Sequence, residues 1–521
     1  MVFHRSAGVL MHPTSLPSSF CIGDIGPAAY RFADFLHAAG ARLWQILPLG
    51  PTGFGESPYA SLSSFAGNPY LISLEMLVDG GYLSSGDLAD SPCRAAERVN
   101  YQAVRSWKLP LLEKAATAFL DGSRGKEASV DGEFEVFCTE NNWWLDDFAL
   151  FTVVKEHFDK KALREGVQDS RWNRYWDRDI ALHQKKAVEK WQREYSRQIS
   201  LVKVEQFFFF QQWQRLRQYV NERDIMIIGD VPIFVSPESA DLWAERPLFH
   251  VDERGRPTVV SGVPPDYFSV TGQLWGNPLY KWEAHLADGF AWWIRRIGGL
   301  LKMVDIIRID HFRGFEACWE IPAGAENAVG GRWVKAPGKQ LFEAVQRSLG
   351  TIPILAEDLG VITREVTALR DAFGFPGMKV LQFAFEKDAE GNLNTGNGFL
   401  PFHYTENAVV YTGTHDNDTT RGWYQSLSDG ERDLVRRYLA RPDDDIVWAL
   451  IREGMQSVAR FAVFPMQDLL DLDSSARMNL PSTVGDANWS WKMEESGMSS
   501  FISSRFREMV SLYGRLRKSL E

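Results

Sequence analysis

Four acids stand at the ends of apolar runs in this chain: Asp230 in "MIIGDVP", Asp310 in "IIRIDHFRG", Glu357 in "IPILAEDLG" and Asp416 in "VVYTGTHD". An ionised carboxyl at the end of a buried strand costs desolvation energy, so four of them need a reason. Alternate residues of a strand share a face. On that parity Val304, Ile306, Arg308 and Asp310 align, as do Met226, Ile228 and Asp230. Pro353, Leu355 and Glu357 form a third set, and Val410, Thr412, Thr414 and Asp416 a fourth. Like charges brought together raise one another's pKa, and Arg308, His311 and His415 supply the balancing cations.

Paired carboxyls without a metal-ligand spacing suit chemistry on an acetal. Cleaving a glycosidic bond takes one carboxylic acid to protonate the leaving oxygen. It takes a second carboxylate to attack the anomeric carbon or to activate water. Two other readings use the same residues: a cluster that holds a divalent cation, and a structural network of ion pairs at the rim of a barrel. The 19 Trp residues favour the sugar reading, because an aromatic face and the apolar face of a sugar ring both lose water when they meet.

The elements that would bring these acids together can be read along the chain. Eight short apolar runs end in polar residues: 7–13, 42–50, 224–235, 304–310, 352–360, 378–385, 408–416 and 461–468. Helix-like stretches separate most of them, among them "PAAYRFADFLHAAG", which closes on Gly40 as a C-cap. Strands alternating with helices imply parallel pairing. Eight units predict an α/β fold, a (β/α)8 TIM barrel, over a doubly wound open sheet. Residues 1–521 then form one catalytic barrel with large, mainly helical insertions. A helical insertion follows the second strand over approximately 75–220, and "FFFF" (Phe207 to Phe210) belongs to its core. A loop-rich insertion follows the third strand over approximately 236–299, and "SGVPPDYFSVTGQLWGNPLY" within it reads as a long ordered loop.

Composition excludes other classes. A net charge of -11 is the wrong sign for nucleic-acid binding. Cys21, Cys93, Cys138 and Cys318 are scattered, without metal-ligand spacing or a disulfide framework, which predicts a reducing, cytoplasmic home. No apolar run has the length of a membrane span, and the first residues lack the pattern of a signal peptide.

At these residues a family becomes recognisable. "IIRIDHFRGF", "LAEDLG", "YTGTHDNDT" and "GDVPIFV" resemble the barrel motifs of the α-amylase superfamily. "LPLGPTGFGESPYASLSSFAGNPYLI", "GVPPDYFSVTGQLWGNP" and "ARMNLPSTVGDANWSW" resemble signatures of its amylomaltase branch, the 4-α-glucanotransferases of glycoside hydrolase family 77. The resemblance spans nearly the whole chain and implies no C-terminal β-sandwich domain.

The resemblance implies roles. Asp310 is the nucleophile that forms a glycosyl-enzyme, Glu357 the acid/base, and Asp416 the acid that holds hydroxyls of the distorted donor sugar. Arg308 is expected to lower the pKa of Asp310 and keep it ionised, while Glu357 is expected to have the raised pKa of an acid catalyst. Substrate contacts fall to Ser57, Tyr59, Asp230, Asp266, Gln273, Trp275, Arg308, His311, His415 and Asn479. Of these, Tyr59 stacks near the scissile sugar, Ser57 meets an acceptor hydroxyl, and Asp266, Gln273 and Trp275, with Tyr267 and Phe268, wall the groove and exclude water. The implied partners are α-1,4-glucans: maltooligosaccharides, amylose and glycogen. No cofactor, metal, nucleic acid or membrane is implied. The implied reaction is a retaining double displacement that transfers a glucan segment to a 4-hydroxyl; a retaining α-1,4-glucan hydrolase on the same barrel is the alternative.

Overall fold

The computed structural model describes residues 4–93, 97–122, 130–265 and 269–516. Twelve strands occur among them, in chain order: β1 (Ser6–Leu10), β2 (Leu43–Gln45), β3 (Met226–Pro232), β4 (Val259–Val263), β5 (Gln273–Pro278), β6 (Ile306–Asp310), β7 (Ala317–Pro322), β8 (Arg332–Lys335), β9 (Ile354–Ala356), β10 (Gly377–Val380), β11 (Ala408–Tyr411) and β12 (Phe461–Pro465). Eight of them close into a parallel barrel, β1-β2-β3-β6-β9-β10-β11-β12, with β12 returning to β1. Each overlaps one of the eight apolar runs, so the TIM barrel expected from the sequence is the fold. Their side chains are buried on both faces, as parallel strands covered by helices must be.

Helices carry the chain from one strand to the next. The helix Pro27–Ala38 starts with Pro at its first turn and ends in a Schellman turn. Gly40 has φ +70°, and the N–H of Ala41 reaches the carbonyl of Leu36 at 3.0 Å; the left-handed position favours Gly there. Between β2 and β3 run several helices, the longest being Val130–Glu165 and Ser196–Asn221. Phe207, Phe208 and Phe209 are core residues of the second, whereas Phe210 is only partly buried. No α-helix occurs among the described residues between β10 and β11, where the chain makes short 3-10 turns instead.

The segment 236–299, expected to be loop-rich, is more regular than that. It contains β4 and β5, which join β7 and β8 in a second, antiparallel sheet of order β5-β4-β7-β8. Gly262 and the prolines around it hid the strands: Gly262 sits in β4 where a Cβ would meet the Gln273 carbonyl of β5 at 2.2 Å. Gly is required by that close approach, not by a loop.

The cysteines depart from expectation too. Cys21 and Cys93 form a disulfide, their Cα atoms 4.8 Å apart across 72 residues of sequence. Spacing that wide carries no signal of pairing. Cys138 and Cys318 are free. No helix among the described residues is long and apolar enough to cross a membrane.

Candidate active site

Arg308 lies at the centre of the acid cluster. Its position on β6 is opposite Asp230 on β3, and its side chain is buried. Its Nη1 donates to Asp230 Oδ2 at 2.5 Å and to Asp310 Oδ1 at 3.1 Å. The parity argument therefore holds here: Arg308 and Asp310 share a face, while Asp305 lies on the other and pairs with Arg217 of the helix Ser196–Asn221 at 2.7 Å. Asp230 Oδ2 also accepts from the Tyr59 hydroxyl at 2.8 Å. Burial and the neighbouring Asp230 carboxylate push the Tyr59 phenol well above its ordinary pKa, so it stays neutral and donates.

Asp310 opens onto the barrel mouth, with 29% of its side chain exposed. Its Oδ2 takes no hydrogen bond from a described residue. Arg308 lowers this carboxyl as expected, yet the net position is above that of a free aspartate. Burial pushes the Asp310 carboxyl up to about 6, and the pull of Arg308 only offsets part of that rise. The reason is that Arg308 is shared: its shorter hydrogen bond goes to Asp230.

Glu357 sits one residue beyond the end of β9. Its Oε2 accepts the backbone N–H of His311 at 2.7 Å, and its Oε1 accepts that of Leu359 at 2.8 Å. The first bond ties it to the residue after Asp310. His311 has φ +53°, a left-handed conformation uncommon outside Gly, Asn and Asp; it turns the His311 N–H onto Glu357. Burial, and then the charge of Asp310, push the Glu357 carboxyl up to about 7. The two N–H donors and Arg308 work against that rise.

Asp416 arrives by a different route from the one strand parity implied. β11 ends at Tyr411, and residues 412–416 form a turn closed by Asn417, whose Oδ1 accepts the N–H of Thr414 at 2.9 Å and its hydroxyl at 3.0 Å. Asp416 Oδ1 accepts from the Asn479 amide at 2.7 Å, and Oδ2 lies 3.3 Å from His415 Nε2. Burial raises the Asp416 carboxyl, but His415, Asn479 and Arg308 outweigh it and hold the group far below the usual carboxylate range. In return Asp416 overcomes the burial of His415 and raises its pKa. The His415 ring stacks on Tyr59, centroids 5.0 Å apart, which joins Asp416 to the Arg308 cluster.

The remaining candidates distribute around this core. Trp275 meets the His311 ring edge-on at 4.7 Å and donates from Nε1 to Gln273 Oε1 at 3.1 Å, so β5 hangs beside Glu357. Burial drives the His311 imidazole down to about 3, so it is neutral. Ser57 is less free than expected: its hydroxyl accepts the N–H of Tyr59 at 3.2 Å and shapes the turn. Asp266, Tyr267 and Phe268 lie outside the described residues.

Two contributors were not found by sequence reasoning. Arg477 donates to the Asp416 carbonyl at 2.7 Å and to the Asn479 carbonyl at 2.7 Å, fixing both ends of that hydrogen bond. Trp489 packs against the rings of Tyr59 and His415, centroids 6.0 Å from each. Both lie in "ARMNLPSTVGDANWSW", a stretch without periodicity, so only their closeness to Asn479 could have singled them out. Among the described residues no group of three or more His, Cys, Asp or Glu side chains is arranged to hold a metal ion.

The family model of the 4-alpha-glucanotransferases, glycoside hydrolase family 77, matches residues 11–498. The chain belongs to this family. It is 47% identical over 519 residues to a 4-alpha-glucanotransferase of Synechocystis, covering 99% of each chain. It is 47% identical over 524 residues to one of Thermus thermophilus, covering 99% of this chain and all of that one. Among solved structures, an amylomaltase from Streptococcus agalactiae in complex with acarbose superposes with a TM-score of 0.91 at 38% identity, over 98% of this chain and 100% of the other.

Breaking the central pair tests the electrostatics. Asp230→Ala leaves the buried guanidinium of Arg308 half compensated, and stability at pH 7 should fall by about 3–5 kcal/mol. Urea unfolding reads this; a loss under ~1 kcal/mol, typical of exposed pairs, would contradict the arrangement.

Proposed function

We propose that this chain is a 4-alpha-glucanotransferase. It moves a segment of an α-1,4-glucan to the 4-hydroxyl of glucose or of another α-1,4-glucan. The observation that carries the chemistry is the pair Asp310 and Glu357, joined through adjacent backbone with their pKa values raised to different extents. Transfer, as opposed to hydrolysis, is supported by the family and by the full-length relatives.

The reaction proceeds as a double displacement with retention. The Oδ2 of Asp310 attacks the anomeric carbon while Glu357 gives its proton to the glycosidic oxygen. The C1–O bond breaks, the leaving chain departs with a new 4-hydroxyl, and a glycosyl ester forms on Asp310. Glu357, now a carboxylate, takes the proton from the 4-hydroxyl of the acceptor. That oxygen attacks C1, the ester bond breaks, and Asp310 returns to its starting state. The less basic Asp310 is ionised first, and Glu357 keeps the proton that the first step needs. Asp416, ionised throughout, accepts hydrogen bonds from donor hydroxyls, and the neutral His311 offers its Nε2, which has no partner among the described residues. Trp275 and Gln273 of β5 line the acceptor side and displace water.

The partners proposed are maltooligosaccharides, amylose and glycogen, and the compartment is the cytoplasm. The free thiols of Cys138 and Cys318 support a reducing home; the Cys21–Cys93 bridge weighs against it. Alkylating the protein inside the cell before purification decides. Four blocked thiols support the cytoplasm, and two overturn it.

Maltotriose tests the function. Transfer yields glucose and a ladder of longer maltodextrins with no net gain of reducing ends. Shorter sugars alone, with one new reducing end per cleavage, would mean a hydrolase. The pH profile of kcat/KM should be a bell. It falls on the acid side as Asp310 becomes protonated and on the alkaline side as Glu357 loses its proton, with a maximum between about 6 and about 7. Activity that climbs steadily through pH 8 would remove Glu357 as the acid.

A further inference from the structure

The ring of helices around the barrel has a gap far from the acids. The helix Pro27–Ala38 packs on Ser196–Asn221, and Ala291–Leu301 packs on Gly338–Leu349. Between Ser196–Asn221 and Ala291–Leu301 a groove of about 1320 Å³ opens instead, with the helix Val130–Glu165 forming its other wall. It runs along the outside of the barrel from Phe65, in the segment after β2, to Lys302 and Met303, which precede β6. None of the catalytic candidates lines it.

Its lining mixes aromatic and polar side chains on both helices, Val130–Glu165 and Ser196–Asn221. Trp143 remains 36% exposed there beside the exposed Val136; its ring meets Phe65 edge-on at 4.7 Å, and the guanidinium of Arg295 sits 5.3 Å from its centroid. Phe210, the one member of "FFFF" that the helix core does not fully bury, lines the groove as well. The helix Ser196–Asn221, which carries Phe210, also presents Gln211, Gln214 and Gln218 at positions i, i+3 and i+7; Gln211 donates to Glu133 at 3.3 Å and Gln218 to Glu222 at 2.9 Å. The side chains of Gln214 and Glu140 make no hydrogen bond to another described residue, and Gln214 is exposed.

The charges cancel. Glu133, Glu140 and Glu222 face Arg215, Arg217 and Lys302. An anionic ligand would need a basic excess, and the core of a protein interface is depleted of charge. An uncharged chain rich in hydroxyls, with apolar ring faces, suits the combination present here: an exposed indole, the amide of Gln214 and the carboxylate of Glu140 without a partner among the described residues, and no net charge.

We propose that this groove binds a segment of an α-1,4-glucan and holds it without reacting. The proposal rests on the glucan reading of the active site. A sugar ring lies on Trp143, and its hydroxyls bond Gln214, Gln218 and Glu140. A long glucan bound there keeps a free end near the barrel mouth, so its effective concentration rises; an oligosaccharide too short to span both sites gains nothing.

Wild type, Trp143→Ala and Gln214→Ala are compared for retardation in native gels containing glycogen, and for kinetics on amylose and on maltotriose. In both variants retardation should weaken and KM for amylose should rise by about threefold or more, while kcat and KM for maltotriose stay within about twofold. Gln214 is exposed, so its variant tests the groove even where loss of the Trp143 ring disturbs folding. Unchanged retardation and unchanged KM for amylose in both variants would overturn the proposal. So would a wild-type dimer that dissociates in the variants with glycogen retardation unchanged, which would make the groove an interface between two copies. Absence of maltotriose transfer in the wild type is a different outcome: it removes the glucan reading itself.

Discussion

A buried guanidinium must be neutralised where it stands, and the site is organised around that requirement. Arg308 is locked into β6 and buried, with Asp230 and Asp310 on a single Nη1. Two carboxylates on one cation leave a net negative charge. That charge, added to burial, explains why Asp310 is harder to ionise than a free aspartate and why Glu357 next to it is harder still. A lone buried acid would simply hold its proton. A fully paired one would ionise and become a poor nucleophile. Sharing one cation between two acids gives an intermediate condition, in which Asp310 ionises at about 6 with one oxygen unengaged by any described residue.

Asp416 lies at the other extreme. It has the imidazole of His415 beside it, an amide from Asn479, and Arg477 holding the local backbone. It is held far below the usual carboxylate range and is ionised at neutral pH, which suits a group that accepts hydrogen bonds and does not move protons. Three acids within one barrel mouth thus acquire three protonation behaviours from their neighbours. Tyr59 connects the two halves, since its hydroxyl bonds Asp230 and its ring stacks on His415.

The legible part of this molecule was the part with a period. Apolar runs located all eight barrel strands, and alternation correctly put Arg308 with Asp310 and Asp305 on the opposite side. Parity stopped where strands stop. Asp416 reaches the site through a turn held by Asn417, and alternation beyond Tyr411 had no physical content. The antiparallel strands β4 and β5 were hidden because Gly262 and neighbouring prolines read as loop, although Gly262 serves a close approach of two backbones. Arg477 and Trp489 are positioned by tertiary contacts alone. The Cys21–Cys93 pair and the groove beside Trp143 bring together residues far apart in sequence, and a local pattern does not encode such meetings. Arg308 lowers the Asp310 carboxyl as expected, but burial outweighs it; strand parity revealed one neighbour of the arginine, and the competing one, Asp230, comes from another strand.

The central claim is that Asp310 carries the glycosyl group and Glu357 manages the proton. A Glu357→Gln enzyme given an α-maltooligosyl fluoride separates these roles. Fluoride leaves without protonation, so the first step proceeds, whereas the second lacks its base and the ester accumulates. After an acid quench and tryptic digestion, the account predicts added hexose units on the peptide Ile309–Arg313, which contains Asp310 as its only carboxylate side chain. A glycosylated peptide elsewhere in the chain, or turnover of the fluoride by Glu357→Gln that survives Asp310→Asn, would contradict it.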